Sequence, residues 1–396
     1  MSESNAIETG ENADLIDAFV DTSQKELAVY RRNAAGEEML AIGVCEKPEK
    51  QRRRIFWRAF DGWHRVDGDG RWSSFDRSFE FVPRIMALRQ GDKARTEVVG
   101  SEAREFAALL DKRKKPPEDE VFVTDTKALD ESSFVEGVRQ VVDEGVVLKG
   151  VFARRLVVTT ASPISPSVVL KRLADAYPSC TIFAISPGDS LFPVFVGATP
   201  ERLVEIDNGV VKTMALAGTT RQEEGRSLRE AEVALLKSAK DREEHRFVRD
   251  MIVDILNRYC RTVKAQKEPD ILRLGELSHL HTAIRGELER ELGILDVATE
   301  LHPTPAVCGT PRKKALEVIR EVEGFDRGLY AGVLGWTDPA GNGEADVLLR
   351  AGLIDNTQAT MYAGAGITAD SELAVEWRET DQKFQPLLEA ITGGRP

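Results

Sequence analysis

Two pairs of acids with the same spacing stand out in this chain: Asp241 with Glu244, and Glu376 with Glu379. Residues three or four apart share one face of a helix, so each pair is a two-carboxylate edge, and Lys383 extends the second edge by four. Just upstream, a strand-like run over 359–362 ends in Ala363-Gly364-Ala365-Gly366, and Asp370 and Ser371 offer a helix cap. Glycines let a bound group approach the backbone, and the free amides of a helix start favour an anion. Residues 362–383 therefore read as a place where an acidic small molecule meets a metal ion. The first acid pair is reached by projecting the stripe Val248, Met251, Ile252, Ile255 and Tyr259 backwards, which puts Glu244 and Asp241 on a buried face. Buried acids must be paired or metal-bound. A salt bridge is the commoner fate, and the second pair adds weight to a cation. Oxygen ligands with no Cys or His cluster point to Mg²⁺ or Mn²⁺ and away from zinc.

Three further residues have types unusual for their surroundings. Lys149 lies in the apolar run 146–154 and shares a face with Val147, Val151 and Ala153. It reads either as an edge-strand lysine that discourages aggregation or as a desolvated base. Glu201 lies between the turn-like Gly197-Ala198-Thr199-Pro200 and an apolar strand over 202–206. On this stretch alone a water-facing turn glutamate is the stronger reading; in an apolar setting it would be a general acid. Arg350 sits among Val347, Leu348, Leu349 and Leu353 and needs an anionic partner, either a neighbouring acid or a ligand carboxylate. His279 and His281 stand in 272–288, where isolated histidines are more often structural.

The elements that position these residues alternate between strand and helix. Strands are expected over 27–30, 38–44, 55–60, 146–154, 181–185, 193–196, 202–206, 210–216 and 345–354. Asn208-Gly209 is a hairpin signal, and Ala217-Gly218-Thr219 a second glycine turn. Helices are expected over 103–110, 133–144, 165–177, 312–322 and, as the longest pattern, 227–260. Trp57, Trp63 and Trp72 read as packing aromatics. Residues 1–12 read as frayed, Asp67–Gly70 as a turn, and the charge run 111–120 as a solvated linker. The chain has 396 residues, 42% hydrophobic and 30% charged, with net charge −12. That balance fits a globular protein and argues against a nucleic-acid surface. Four dispersed cysteines without a C-x-x-C pair, no secretory h-region and no membrane-length apolar run suggest a reduced, cytoplasmic setting. Nothing requires more than a monomer.

Seven collinear blocks carry a resemblance: GATPERLV (197–204), ALAGT (215–219), KDREEHRFV (240–248), LSHLHTAIRGEL (277–288), LHPTPAVCGTP (301–311), FDRGLYAGVLGW (325–336) and AGAGITADSELAVEWRETDQK (363–383). Together they resemble the chorismate-utilising enzymes, and isochorismate synthases most, over roughly 120–392. The resemblance implies an α+β fold with large antiparallel sheets packed face to face and helices outside, around a central cleft. Residues 1–120 would be a variable β-rich part of the same domain and 121–396 the chorismate-binding catalytic core. It implies chorismate as substrate and Mg²⁺ as cofactor. Lys149 matches the base that activates water and Glu201 the acid that protonates the departing C4 hydroxyl. Glu244 and Glu379 match the principal metal ligands, with Asp241 and Glu376 acting through water or as secondary ligands. Arg350, Thr219, Lys383 and Gly364, Ala365 and Gly366 match positions that hold substrate carboxylates, and His279 a histidine near the ring. Lys149 is similar to the water-using subfamilies, and Ala217 lacks the nucleophilic lysine of the aminodeoxychorismate type. Ala306, where lyases commonly carry threonine, favours stopping at isochorismate over pyruvate elimination to salicylate. Asp241, in place of a glutamate, leans the same way, and Tyr330 replaces a phenylalanine found in some isochorismate synthases.

Overall fold

The computed structural model describes residues 7–8, 14–23, 26–45, 53–60, 78–89, 96–100, 103–110, 121–188, 193–221, 227–274, 277–289 and 292–394. Two antiparallel sheets form the frame, of twelve and nine strands among these residues. Side-chain alternation assigns the layers. Along strands of the larger sheet Val29, Met39, Phe183 and Phe195 enter a core shared with the smaller sheet. Their neighbours Tyr30, Leu40, Ala184 and Val196 face the opposite way, into a second core with Phe19, Leu170 and Leu387. Those three come from the helices Leu15–Ser23, Pro166–Ala176 and Leu373–Thr392. Two stacked sheets with helices outside is the α+β architecture expected.

The front third enters both sheets. Ala28–Arg32 pairs with Thr181–Ser186 in the larger, and Arg54–Arg58 pairs with Val333–Thr337 in the smaller. Trp57 is buried as a packing aromatic. Trp63, Trp72, the Asp67–Gly70 turn and the 111–120 run lie outside the described residues. Ile7–Glu8 pairs with the strand Glu97–Gly100, so this part of the segment read as frayed is paired.

Several elements depart from their sequence reading, each for a local reason. The helical pattern over 227–260 is two helices, Leu228–Lys237 and Ala239–Leu256, with Ser238 ending one and capping the other through Asp241 N–H (3.2 Å). Gly218 is no turn: Val210–Arg221 is one strand, with a register shift between Ala217 and Thr219 where Gly218 takes φ 75°. A bulge adds a residue without ending the strand. Ala363 to Gly366 is likewise no loop but the continuation of the strand Gln358–Ile367, which pairs with Lys149–Thr160 along its whole length. The following helix starts at Leu373 with Glu372 as its cap residue, while Ser371 Oγ accepts from Thr368 N–H (3.1 Å). Asn208-Gly209 does make the expected tight hairpin, with φ 49° and 76°.

The consequential departure is at 345–354. This apolar run is two strands in different sheets: Gly343–Val347 in the smaller and Ala351–Asp355 in the larger. The chain passes between sheets at 348–350, with Arg350 at φ 49°. A second crossing occurs at Pro200 and Glu201, between Val194–Thr199 in the larger sheet and Arg202–Asp207 in the smaller. The crossings lie side by side. Val347 N–H donates to Glu201 C=O (2.9 Å), Ala198 N–H to Arg350 C=O (3.3 Å), and Thr199 Oγ1–H to Val347 C=O.

Candidate active site

Glu201 and Arg350 therefore occupy the seam where the sheets exchange strands. Glu201 is 6% exposed. Burial pushes its carboxyl up to about 7, against the pull of Lys149, Lys383, Arg350 and the Thr304 hydroxyl. Arg350 is not the strand arginine its neighbours suggested. It sits on the crossing, and among the described residues no carboxylate forms an ion pair with it. Burial lowers its pKa, with Tyr330 and then Glu379 the largest opposing influences.

Lys149 opens the strand Lys149–Thr160 and is fully buried. The short strand Gly309–Thr310 pairs beside it, which rules out the exposed edge-strand reading. Its Nζ lies 2.9 Å from Glu244 Oε1, an ion pair without hydrogen-bond alignment. Gly366 makes room for this contact: a Cβ there would stand 2.2 Å from Glu244 Oε1 and 3.0 Å from Lys149 Cε. Gly364 is a close approach as well, with Tyr330 Oη 3.3 Å from where its Cβ would be. Ala365 points the other way, beside its cross-strand neighbour Phe152, whose ring packs against Gly137. Only its backbone is available to the site.

The helix Leu373–Thr392 brings Glu376, Glu379 and Lys383 along one face, as the spacing predicted. Lys383 Nζ–H donates to Gly364 C=O (2.9 Å) and pairs with Glu379. Glu376, 1% exposed, pairs with Lys240. Asp241 flanks the Gly218 bulge, where a Cβ would stand 3.1 Å from Asp241 Cβ. Thr219 and His279 face each other across strands, Oγ1 to Nδ1 at 3.0 Å. His279 Nε2 is buried without a partner among the described residues, and burial, reinforced by Arg350 and Lys383, holds the ring well below its usual pKa, hence neutral. His281, partly exposed on the same strand, takes no part.

In chemistry the acids suit a hard cation. All are oxygen donors. Burial raises Asp241, and Glu244 and Glu379 raise it further; burial, then Glu379, raises Glu376. Among the described residues no three His, Cys, Asp or Glu side chains already surround one point. Lysines stand in instead, on Glu244, Glu376 and Glu379. Of these lysines the sequence reading singled out Lys149 and Lys383 but missed Lys240. Lys240 lies four before Glu244, so continuing the helical stripe one turn further would have reached it. Thr304, beside Glu201, was missed as well: it lies in an irregular loop, where no periodicity reports burial.

A family model for chorismate-binding enzymes matches residues 8–392. The chain is 33% identical over 406 residues to isochorismate synthase MenF of Bacillus subtilis, covering 96% of this chain and 84% of that protein. It is 41% identical over 263 residues to the salicylate biosynthesis isochorismate synthase of Pseudomonas aeruginosa, covering 66% of this chain and 53% of that one. Among solved structures, the menaquinone-specific isochorismate synthase MenF of Escherichia coli superposes with a TM-score of 0.81 at 25% identity, over 98% of this chain and 94% of that one. Anthranilate synthase component I of Streptococcus pneumoniae, at 21% identity and TM-score 0.68, shares the fold. The sheet frame, the seam and this end-to-end match agree: the chain belongs to the chorismate-binding enzyme family.

Proposed function

We propose that this protein is an isochorismate synthase that converts chorismate to isochorismate with Mg²⁺, in the cytoplasm and as a monomer, with residues 1–120 part of the same domain as the catalytic core. The observation that carries the reaction is a fully buried lysine, Lys149, whose charge reaches a buried carboxyl, Glu201, that burial pushes up to about 7. Hydration at C2 with loss of the C4 hydroxyl needs a base and an acid at the two ends of an allylic system. Lys149 takes a proton from water as the oxygen bonds to C2 and the double bond shifts. Glu201 gives its proton to the C4 oxygen as that C–O bond breaks, so a hydroxyl leaves as water. The net reaction exchanges one water for another and needs no redox cofactor.

Arg350, without a carboxylate ion-pair partner among the described residues, suits a substrate carboxylate through its planar fork, and Lys383 and Thr219 border the same region. The unpaired His279 Nε2 offers a hydrogen bond near the ring. Glu244 and Glu379 would hold the cation, with Asp241 and Glu376 behind them. Bound there, Mg²⁺ would offset the charge of the ring carboxylate. Lys149 cannot accept a proton while held as the ammonium partner of Glu244, so the base must be released from that carboxylate before the reaction.

Incubating the protein with chorismate and Mg²⁺ should give isochorismate as the main early product. Salicylate with pyruvate would replace this reading by a synthase–lyase, and an ammonia-dependent aromatic amine by an anthranilate-type enzyme. Ala306 and the matched relatives favour the first outcome. Lys149→Ala should abolish turnover while chorismate still binds; turnover near wild type would remove Lys149 as the base.

A further inference from the structure

The three lysine–carboxylate pairs of the site are not equivalent. Glu244 and Glu379 are 13% and 23% exposed, and their partners Lys149 and Lys383 have other tasks in the proposed reaction. Glu376 is 1% exposed, and Lys240, 27% exposed, has no assigned task. A partly solvated carboxylate can exchange a lysine for a cation at little cost. A carboxylate with no access to water stays ionised only beside a counter-charge, and otherwise takes up a proton. Lys240 also sits one helical turn before Glu244 and next to Asp241. Its strand and helix neighbours leave the pair bridging two elements, the helix Ala239–Leu256 and the helix Leu373–Thr392.

We propose that Lys240 is a positioning residue of the cation site: it neutralises Glu376 in place, so Glu376 is a charge-paired wall and the cation is held by Glu244 and Glu379 with Asp241 behind them. This assignment rests on the cation reading above and goes further, because it gives Glu376 a standing counter-charge and Lys240 a task, from this chain's own residues.

The test is a charge-pair cycle read by calorimetric titration of MgCl₂ alone into the full-length protein. Glu376→Gln leaves Lys240 unopposed beside the cation and should weaken Mg²⁺ binding about ten-fold or more. The double variant Lys240→Met with Glu376→Gln removes both charges and should return binding to within about three-fold of wild type. Lys240→Met alone should bind Mg²⁺ no more weakly than wild type. A double variant as weak as Glu376→Gln would make Glu376 a ligand in its own right and overturn the proposal. So would unchanged binding in Glu376→Gln, or weaker binding in Lys240→Met. A wild-type protein that takes up no Mg²⁺ would instead overturn the cation reading, and this proposal with it.

Discussion

At the scale of single residues, two buried glutamates show how environment separates structure from chemistry. Glu323 is 2% exposed and fully answered: Arg327 forks onto both its oxygens, Ala153 N–H donates to Oε1 (2.7 Å), and Arg327 also donates to Val151 C=O (2.6 Å). Glu201 is nearly as buried but among the described residues has no ion-pair partner of its own, only the Thr304 hydroxyl and the more distant charges of Lys149, Lys383 and Arg350. Its proton is therefore held to about pH 7, against 4.5 for an ordinary glutamate. The sign of the linkage follows. The folded state binds this proton more tightly, so Glu201 costs no stability below pH 4.5 and progressively more as pH rises to 7, levelling at about 3 kcal/mol. Glu201→Gln should thus unfold at higher urea concentration than wild type at pH 8, and at nearly the same concentration at pH 4.5, while losing turnover. An equal shift at both pH values would mean that the carboxyl is not held protonated. The same titration should give kcat/KM for chorismate an alkaline limb near pH 7, because the acid must carry its proton into the reaction.

At the scale of elements, the site depends on the register between one strand and one helix. Arg154, one of the largest fully buried side chains, lies on the strand Lys149–Thr160 with its guanidinium 3.8 Å from the Trp377 ring centre. Its Nε donates to Thr380 Oγ1 (2.6 Å), and it pairs with Asp381. These contacts fasten the helix Leu373–Thr392 at the turns that also carry Glu376, Glu379 and Lys383. The neighbouring strand supplies Gly366, whose missing side chain is the space in which Lys149 meets Glu244. Gly366→Ala should therefore cost far more activity than stability. The new methyl collides with the movable ends of two side chains, which can swing aside without unfolding anything, but a displacement of about 1 Å at a reacting group costs on the order of 100-fold in rate. Turnover within a few-fold of wild type would show that this contact is not needed. The spacing of Glu376, Glu379 and Lys383 was readable because helical periodicity is local. The reading ended the strand at Ala363 to Gly366, and its continuation to Ile367 was not legible, because two glycines in four residues signal a turn unless a long partner strand compensates. That partner, Lys149–Thr160, is far away in sequence.

At the scale of the molecule, the two sheets are tied by buried charge as well as by apolar packing. Arg31, on a strand of the larger sheet, reaches Asp346 (Nε to Oδ2, 2.8 Å) and Glu344 (Nη2 to Oε2, 2.5 Å) on a strand of the smaller one. Removing the cation would strand two carboxylates, so Arg31→Met should lower unfolding stability by about 3–5 kcal/mol in urea titrations; a loss under about 1 kcal/mol would make this tie dispensable. The strand that carries Asp346 continues into Val347, which bonds to Glu201, so this contact from the first third of the chain steadies the seam. The sequence by itself determined most helix positions, many strand positions, the family blocks and the kinds of side chain available for the chemistry. These are local properties, written in periodicity, caps and short motifs. Only the tertiary structure decided that Glu201 and Arg350 stand where the chain changes sheets, that Lys149 is buried and not on an open edge, and that three lysines occupy the acids. Each of these depends on which distant strand lies alongside and on how much water the packed sheets exclude. No local pattern carries that information, because it arises only when the two sheets close over one another.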